Sequence, residues 1–355
     1  AFGNTWQPLK IAAPLNLSKS IAFGNVTQLF GRSLGYNFGF QYKTNNELYE
    51  KGQTSRFLLT GSTAEKSELD VQRQFSDVRG TRSVYTSALF NLGYDWSRNS
   101  KIGFTFMPNA SGINDARNQD GINPSDAVGL GQQQRQQRYL ERGMNIFQLR
   151  GEHRLSDQRN HKVTWSSSYT VGKQTTPDLR LFINSFEELS GGVVYSDAEG
   201  NDVTGDALSL LADGENLTEY YPNYTVAEEE SNELYYSIQD NLYPSPTRFF
   251  RQMHNTTLDL KLNHEQPIAR DWGEDNKLMF GASLVRRTRD YSENRYSFVS
   301  QGVEYNGNPN DYFSHENMNV IPGTSAEATN YLYLRDDTEI QNSYEASESV
   351  LGVYS

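Results

Sequence analysis

The chain contains no cysteine, which excludes disulfide scaffolds and thiolate metal sites and leaves the redox compartment open. No apolar run reaches the length of a membrane-spanning helix, so a helical membrane protein is excluded. That absence does not touch a membrane barrel, whose strands are individually weak hydropathy signals. Only 36% of the 355 residues are hydrophobic. Positive charge is short as well. With 32 Lys and Arg against 44 Asp and Glu, the formal net charge is -12, which leaves no basic footprint for nucleic acid or for peripheral binding to anionic lipid. Residues 1–10 have neither the basic nor the apolar stretch of a secretion signal, as expected of a mature chain or of a piece from within a longer one.

Reactive motifs are equally scarce. Gly61 to Ser67 has the flavour of a phosphate loop but lacks its second glycine, and Gly129-Leu130-Gly131 lacks the third glycine of a dinucleotide fingerprint. The five histidines, His153, His161, His264, His254 and His315, have no HExxH spacing. No GxSxG elbow supports serine hydrolysis. Asp197, Glu199, Asp202 and Asp206 lack EF-hand spacing and read as a solvated hairpin tip. Glu228 to Glu230 reads as a solvated run. The expectation is therefore no covalent chemistry, no metal and no cofactor.

What the chain does have is aromatic side chains, 22 Tyr, 18 Phe and 4 Trp, set in strict alternation. In residues 33–43 (SLGYNFGFQYK), Leu34, Tyr36, Phe38, Phe40 and Tyr42 alternate with Ser33, Gly35, Asn37, Gly39, Gln41 and Lys43. A β-strand with this pattern has one aromatic face and one polar or glycine face. The same alternation places Tyr94 and Trp96, then Phe104 and Phe106, then Trp165 and Tyr169, on apolar faces. Pro108 is expected to end its strand. Arg150, Glu152 and Arg154 fall on the polar face of one strand, and Asp259 and Lys261 on that of another. His153 falls on the apolar side, at an interface position. A final strand opens with Val350, Gly352 and Tyr354.

Nine such strands are expected, joined by links that run alternately short and long. The long ones cover residues 44–81, 109–136, 172–246 and 290–342. Outer-membrane barrels sort their connections this way, with short periplasmic turns and long outer loops, whereas structureless loops of such length are rare in compact domains. The fold class expected is an all-β antiparallel transmembrane β-barrel. The ten aromatics Tyr36, Phe38, Phe40, Tyr42, Tyr94, Trp96, Phe104, Phe106, Trp165 and Tyr169 would face lipid, and the five charged residues above would face the lumen. An odd number of strands does not close a standard barrel, so residues 1–355 are expected to be one segment of a larger wall.

The stretches PLNLSKSIAFGN (residues 14–25), FGRSLGYNFGFQY (30–42), YLERGMNIFQLRGEHRL (139–155), VTWSSSYTVGKQTTPDLR (163–180) and YEASESVLGVYS (344–355) resemble the barrel domain of TonB-dependent outer-membrane transporters, particularly those of the Bacteroidota. The resemblance implies a 22-stranded barrel in the outer membrane of a Gram-negative cell, occluded by an N-terminal plug that follows a TonB box. Neither is seen in this chain: either both precede Ala1, or both are absent and active transport does not follow. It also implies uptake of a siderophore, vitamin, glycan or peptide, with the TonB complex, the lipid bilayer and a surface lipoprotein lid as partners. Tyr220, Tyr221 and Tyr224, with Tyr235 and Tyr236 nearby, would form either a ligand platform or a hairpin core in the longest loop. Two other functions fit the same residues. One is a scaffold barrel in an envelope complex. The other is a soluble carbohydrate-binding β-sandwich, which requires Tyr36, Phe38 and Phe40 to be buried.

Overall fold

The alternating segments assemble into a single large antiparallel sheet. The computed structural model describes residues 5–59, 69–124, 130–155, 161–188, 193–196, 225–228, 234–238, 246–268, 276–318 and 330–355. The strands are β1 (Leu17–Leu29), β2 (Arg32–Leu58), β3 (Asp70–Ser97), β4 (Ser100–Ile122), β5 (Gly131–Arg154), β6 (Lys162–Glu188), β7 (Val193–Ser196), β8 (Thr225–Glu228), β9 (Leu234–Ser237), β10 (Thr247–Pro267), β11 (Lys277–Gln301), β12 (Tyr331–Asp336) and β13 (Tyr344–Tyr354). Eleven of them form the main sheet, in the order β1-β2-β3-β4-β5-β6-β10-β11-β12, with β9 on β6 and β13 on β11. A separate two-stranded ladder joins β7 and β8.

All nine expected strands are present, as β1 to β6, β10, β11 and β13. Four short ones, β7, β8, β9 and β12, were not legible. The larger correction concerns length. Much of the polar sequence read as loop is strand, so β2, β3 and β6 run to 27, 28 and 27 residues. The reason is physical. Beyond the aromatic segments both faces are polar, and hydropathy alternation vanishes, but the backbone ladder needs no apolar side chain to continue.

Two prolines sit inside strands. Pro108 does not end β4. It pairs with Asn145 of β5, while the ladder to β3 is interrupted between Phe90–Phe106 and Ser87–Asn109. An imide without an N–H is tolerated at such a gap. Pro177 lies where β6 shifts register against both β5, between Gln137 and Glu141, and β10, between Phe249 and Arg251. β2 shifts against β3 between Tyr49 and Gly52.

The β1–β2 connection is a two-residue turn in which Phe30 and Gly31 both have positive φ, 51° and 70°, the hand that suits a tight hairpin. The strands β1 and β13 are not hydrogen-bonded to each other, so this chain does not close a barrel. Phe40 is 39% exposed, and Tyr36 and Phe38 are half-buried, which is not the buried layer a sandwich requires.

Among the described residues, a compact hydrophobic cluster lies at the end of the sheet away from the short turns. It joins Trp6, Phe182, Phe298, Tyr305, Tyr312, Phe313 and Leu332. Two short helices, α1 (Pro309–Tyr312) and α2 (His315–Met318), belong to the segment that packs there. Trp6 stacks on Phe313 with ring centroids 4.3 Å apart.

Where strands approach most closely, glycine is required. A Cβ on Gly121 would lie 2.7 Å from Phe75 Cα, whereas Gly93 has open space around it. Gly121→Val is expected to cost about 1–3 kcal/mol through forced backbone displacement, and Gly93→Ala to change little. Urea unfolding of the two variants beside the parent chain checks this.

Candidate functional site: a two-faced wall

Residues directly opposite in an antiparallel ladder share a face, so the register assigns each side chain to one. Phe23, Phe38, Phe90, Phe106, Phe147, Tyr169 and Leu258 form one continuous row across β1 to β10. The next row toward the short turns holds Tyr36, Leu92, Phe104, Leu149, Ser167, Leu260 and Leu284. Nine of the ten aromatics expected on a girdle lie on this face by register, and Trp96, at the shift between Asp95 and Ser97, meets Tyr94 of that face at 6.4 Å. Ring contacts bind the rows laterally. Phe106 stacks on Phe147 at 4.7 Å, and Phe23 meets Phe38 at 5.2 Å.

The band formed by these rows runs obliquely to them. On β2 it extends from Leu34 up to Tyr42. On β11 it stops at Leu284, which lies in the row of Tyr36, and Arg286 follows. The upper edge thus moves six residues over six strand steps. At roughly 3.4 Å per residue and 4.8 Å per strand, the strands incline to the band by about 35°. The stretch from Leu34 to Tyr42 spans about 27 Å along the strand, hence about 22 Å across the inclined band.

The opposite face is polar. Arg150, Glu152 and Arg154 lie on it in β5, and Asp259 and Lys261 in β10. Their pairing is local. Glu152 accepts an ion pair from Lys162 at 3.2 Å, and Lys261 sits 3.7 Å from Asp259 on its own strand. The Arg150 side chain lies over Gly103, where any Cβ would meet it at 2.7 Å.

On the last strand the register sets the faces. Val350, Gly352 and Tyr354 face the polar side, opposite Val285, Ser283 and Gly281, and the aromatic face instead takes Leu351 and Val353. Adjacent Val350 and Leu351 make alternation ambiguous in sequence, and the register with β11 decides it. His153 does lie on the aromatic face, where its Nε2 accepts from Trp165 Nε1 at 3.0 Å. Tyr220, Tyr221 and Tyr224 fall outside the described residues, as do Asp197, Glu199, Asp202 and Asp206. Tyr236 lies on β9 and packs against the aromatic cluster, 5.8 Å from Tyr305.

Above the band, away from the short turns, the polar face carries buried ion pairs that alternation did not single out. Arg117 Nε donates to Asp77 at 2.9 and 3.0 Å, and Thr54 bonds both residues at 3.1 Å. Asp115 lies between Arg79 and Arg138, the latter at 3.0 Å. The available signal was the run NDARNQD (residues 114–120), in which acid and base alternate at strand spacing. On the other face Asp178 accepts from Arg248 and Arg180, each at 2.8 Å, and Arg180 also donates to the Thr5 carbonyl beside Trp6.

These arginines set the carboxylate chemistry. The Arg117 hydrogen bond holds Asp77 below the ordinary aspartate value of 3.8, against the opposing effect of burial. Burial pushes Asp178 up, but hydrogen bonds from Arg248 and Arg180 outweigh it and leave the group lowered. Burial drives the Tyr305 hydroxyl up to about 12.

Because Asp77 and Asp178 ionise at lower pH folded than unfolded, they contribute stability above pH 3.8 that is lost as pH falls through their folded values. Acidification below that point is expected to loosen the upper sheet and release Trp6. A drop and red shift of tryptophan emission, absent in Trp6→Phe and displaced in Asp178→Asn, is the measurement that checks it.

Buried Asp115 is the only carboxylate between its two arginines. Asp115→Ala, which leaves Arg79 and Arg138 facing each other, is expected to cost about 1–3 kcal/mol, moderated by their partial exposure. Chemical unfolding of that variant is the check.

No protein-family model matches this chain, and no curated protein or solved structure matches it either.

Proposed function

We propose that this chain forms part of the wall of an outer-membrane β-barrel, and that the barrel belongs to a TonB-dependent transporter taking up a scarce solute. The oblique aromatic band carries the reading. Strands of outer-membrane barrels tilt by about 35–45° and present an apolar belt about 25 Å tall, and the inclination and height of this band agree with both. A soluble half-buried sheet has no reason to incline its apolar rows. In lipid, the aromatic face supplies the apolar surface and the ladder pairs backbone polar groups from strand to strand, while the polar face lines the lumen. The unpaired edges of β1 and β13 are where further strands of the same wall would add. The transport role rests on the family resemblance. A scaffold barrel would use the same wall.

Charge substitution separates lipid from lumen. Phe38→Arg and Leu260→Arg, in the middle of the band, are expected to cost about 2–4 kcal/mol and to reduce assembly in the outer membrane. Asn37→Arg, one residue away on the polar face, is expected to assemble normally. Membrane fractionation and heat-modifiable gel migration read the difference, and equal behaviour of Phe38→Arg and Asn37→Arg would sink the membrane assignment. Sequencing the gene upstream of Ala1 tests the transport role, since a plug preceded by a TonB box favours uptake and their loss favours a scaffold.

A further inference from the structure

The upper edge of the aromatic band is marked by positive charge. On the aromatic face, Arg286 is the first residue of β11 beyond Leu284, Lys173 the first of β6 beyond Val171, and Arg82 the first of β3 beyond Val84. All three are exposed, and among the described residues none has an ion-pair or hydrogen-bond partner. Directly behind Arg286 on the polar face, Arg287 is neutralised by Glu348 at 3.2 Å. Long cationic side chains at such an edge lay their stems on apolar surface and hold the charge in the polar layer beyond it.

Between Arg82 and Lys173 the face is hollow. A groove of about 650 Å³ crosses from β3 to β6 there, floored by Ala110 and Gly112 of β4 and Gly143 of β5, with Arg82 at one side and Lys173 at the other. The ladder sets this floor of small residues, since Val84 pairs with Gly112, Ala110 with Gly143, and Gly143 with Lys173. A Cβ on Gly143 would find its nearest neighbour, the Asn109 carbonyl oxygen, 4.0 Å away, so the space above it is open. Glu141 is the one acid in the lining, and Asn114 and Thr175 add uncharged hydrogen-bonding groups. By strand spacing and rise, the backbones of Arg82 and Lys173 stand roughly 20 Å apart. That span suits two anionic groups on one headgroup rather than a single phosphate.

We propose that this groove docks a membrane lipid whose saccharide headgroup carries two phosphates, one beside Arg82 and one beside Lys173, with its acyl chains on the aromatic rows below. Lys and Arg at a membrane surface attract anionic headgroups, and their hydrogen bonds to phosphate are charge-assisted. The occupant is a lipid because the groove opens onto the band itself. Lys173 lies in the row of Tyr42, the top aromatic of β2, so one ligand with acyl chains meets both the cations and the rings. The inference rests on the membrane assignment and adds a partner on the outer side of the wall.

The test uses the full chain folded in maltoside detergent, with diphosphoryl lipid A, phosphatidylglycerol and phosphatidylcholine as probes. Native mass spectrometry reads lipid retention, and thermal unfolding reads the midpoint. Lipid A is expected to bind at least tenfold more tightly than phosphatidylcholine, more tightly than phosphatidylglycerol, and to raise the midpoint. Arg82→Gln and Lys173→Gln are each expected to weaken it at least threefold. Gly143→Val, which fills the floor and leaves every charge in place, is expected to do the same, and Glu141→Gln to tighten binding. Lys43→Gln, at the same height on the polar face, serves as the control and is expected to bind as the parent does. Retention of either phospholipid equal to that of lipid A, or equal loss in Lys43→Gln and Lys173→Gln, would overturn the proposal. Displacement of lipid A by millimolar inorganic phosphate would overturn it too, since the groove would then be a site for free anions. A protein that fractionates with the outer membrane yet shows no preference for lipid A would overturn this proposal alone and leave the membrane assignment standing.

Discussion

Backbone hydrogen bonds passed from strand to strand hold this protein together, because its side chains bury too little apolar surface to do so. Its compact hydrophobic cluster is confined to one end of the sheet, and most large apolar side chains are partly or fully exposed. An antiparallel ladder fixes register, and register fixes which side chains share a face. A slip of one residue on β5 would carry Phe147 and Leu149 to the polar side and bring Gln148 and Arg150 among the aromatics. The two-faced character of the wall is therefore a property of the ladder before it is a property of any residue.

The same ladder explains how chemistry is distributed along the height of the wall. Near the short turns, one face is aromatic and the other is lined by small or charged side chains with local ion pairs such as Glu152–Lys162. Farther up, outside the cluster around Trp6, both faces are polar, and guanidinium–carboxylate pairs shielded by their own neighbours add to the packing of that cluster. Pairs of this kind are strong only when every partner is present. The upper wall is thus sensitive to acid and to single substitutions, and the lower wall to charge placed on the aromatic side.

Much of the lower wall was legible in the sequence. Strands such as β2 and β4 announce themselves because one face is apolar and the period of two is audible in hydropathy. Legibility stopped at three places. The upper halves of the strands are polar on both faces, so Thr54 and Asp77 gave no hydropathy period to read, and only the Asp115–Arg117 spacing hinted at the pairs. The cluster around Trp6 draws on segments near residues 6, 182, 298, 313 and 332, and local pattern cannot join residues so far apart. Pro108 looked like a strand end because proline removes a donor, but a donor missing on one side only matters if the neighbouring strand needs it there.

Three of the register shifts, that of β2 against β3 at Tyr49 and those of β6 against β5 and β10, lie at a common height. Tyr49 lies in the row of Arg79, Arg117 and Gln136, and the next row holds Gln137, Arg180 and Arg248. Extra residues in a strand bend it and increase its twist. At this height they fall on β2 and β6, while the β3–β4 and β4–β5 ladders between them pass unshifted. The aromatic rows below keep one register from β1 to β11, so a kink on either strand re-aims only the polar segment above it.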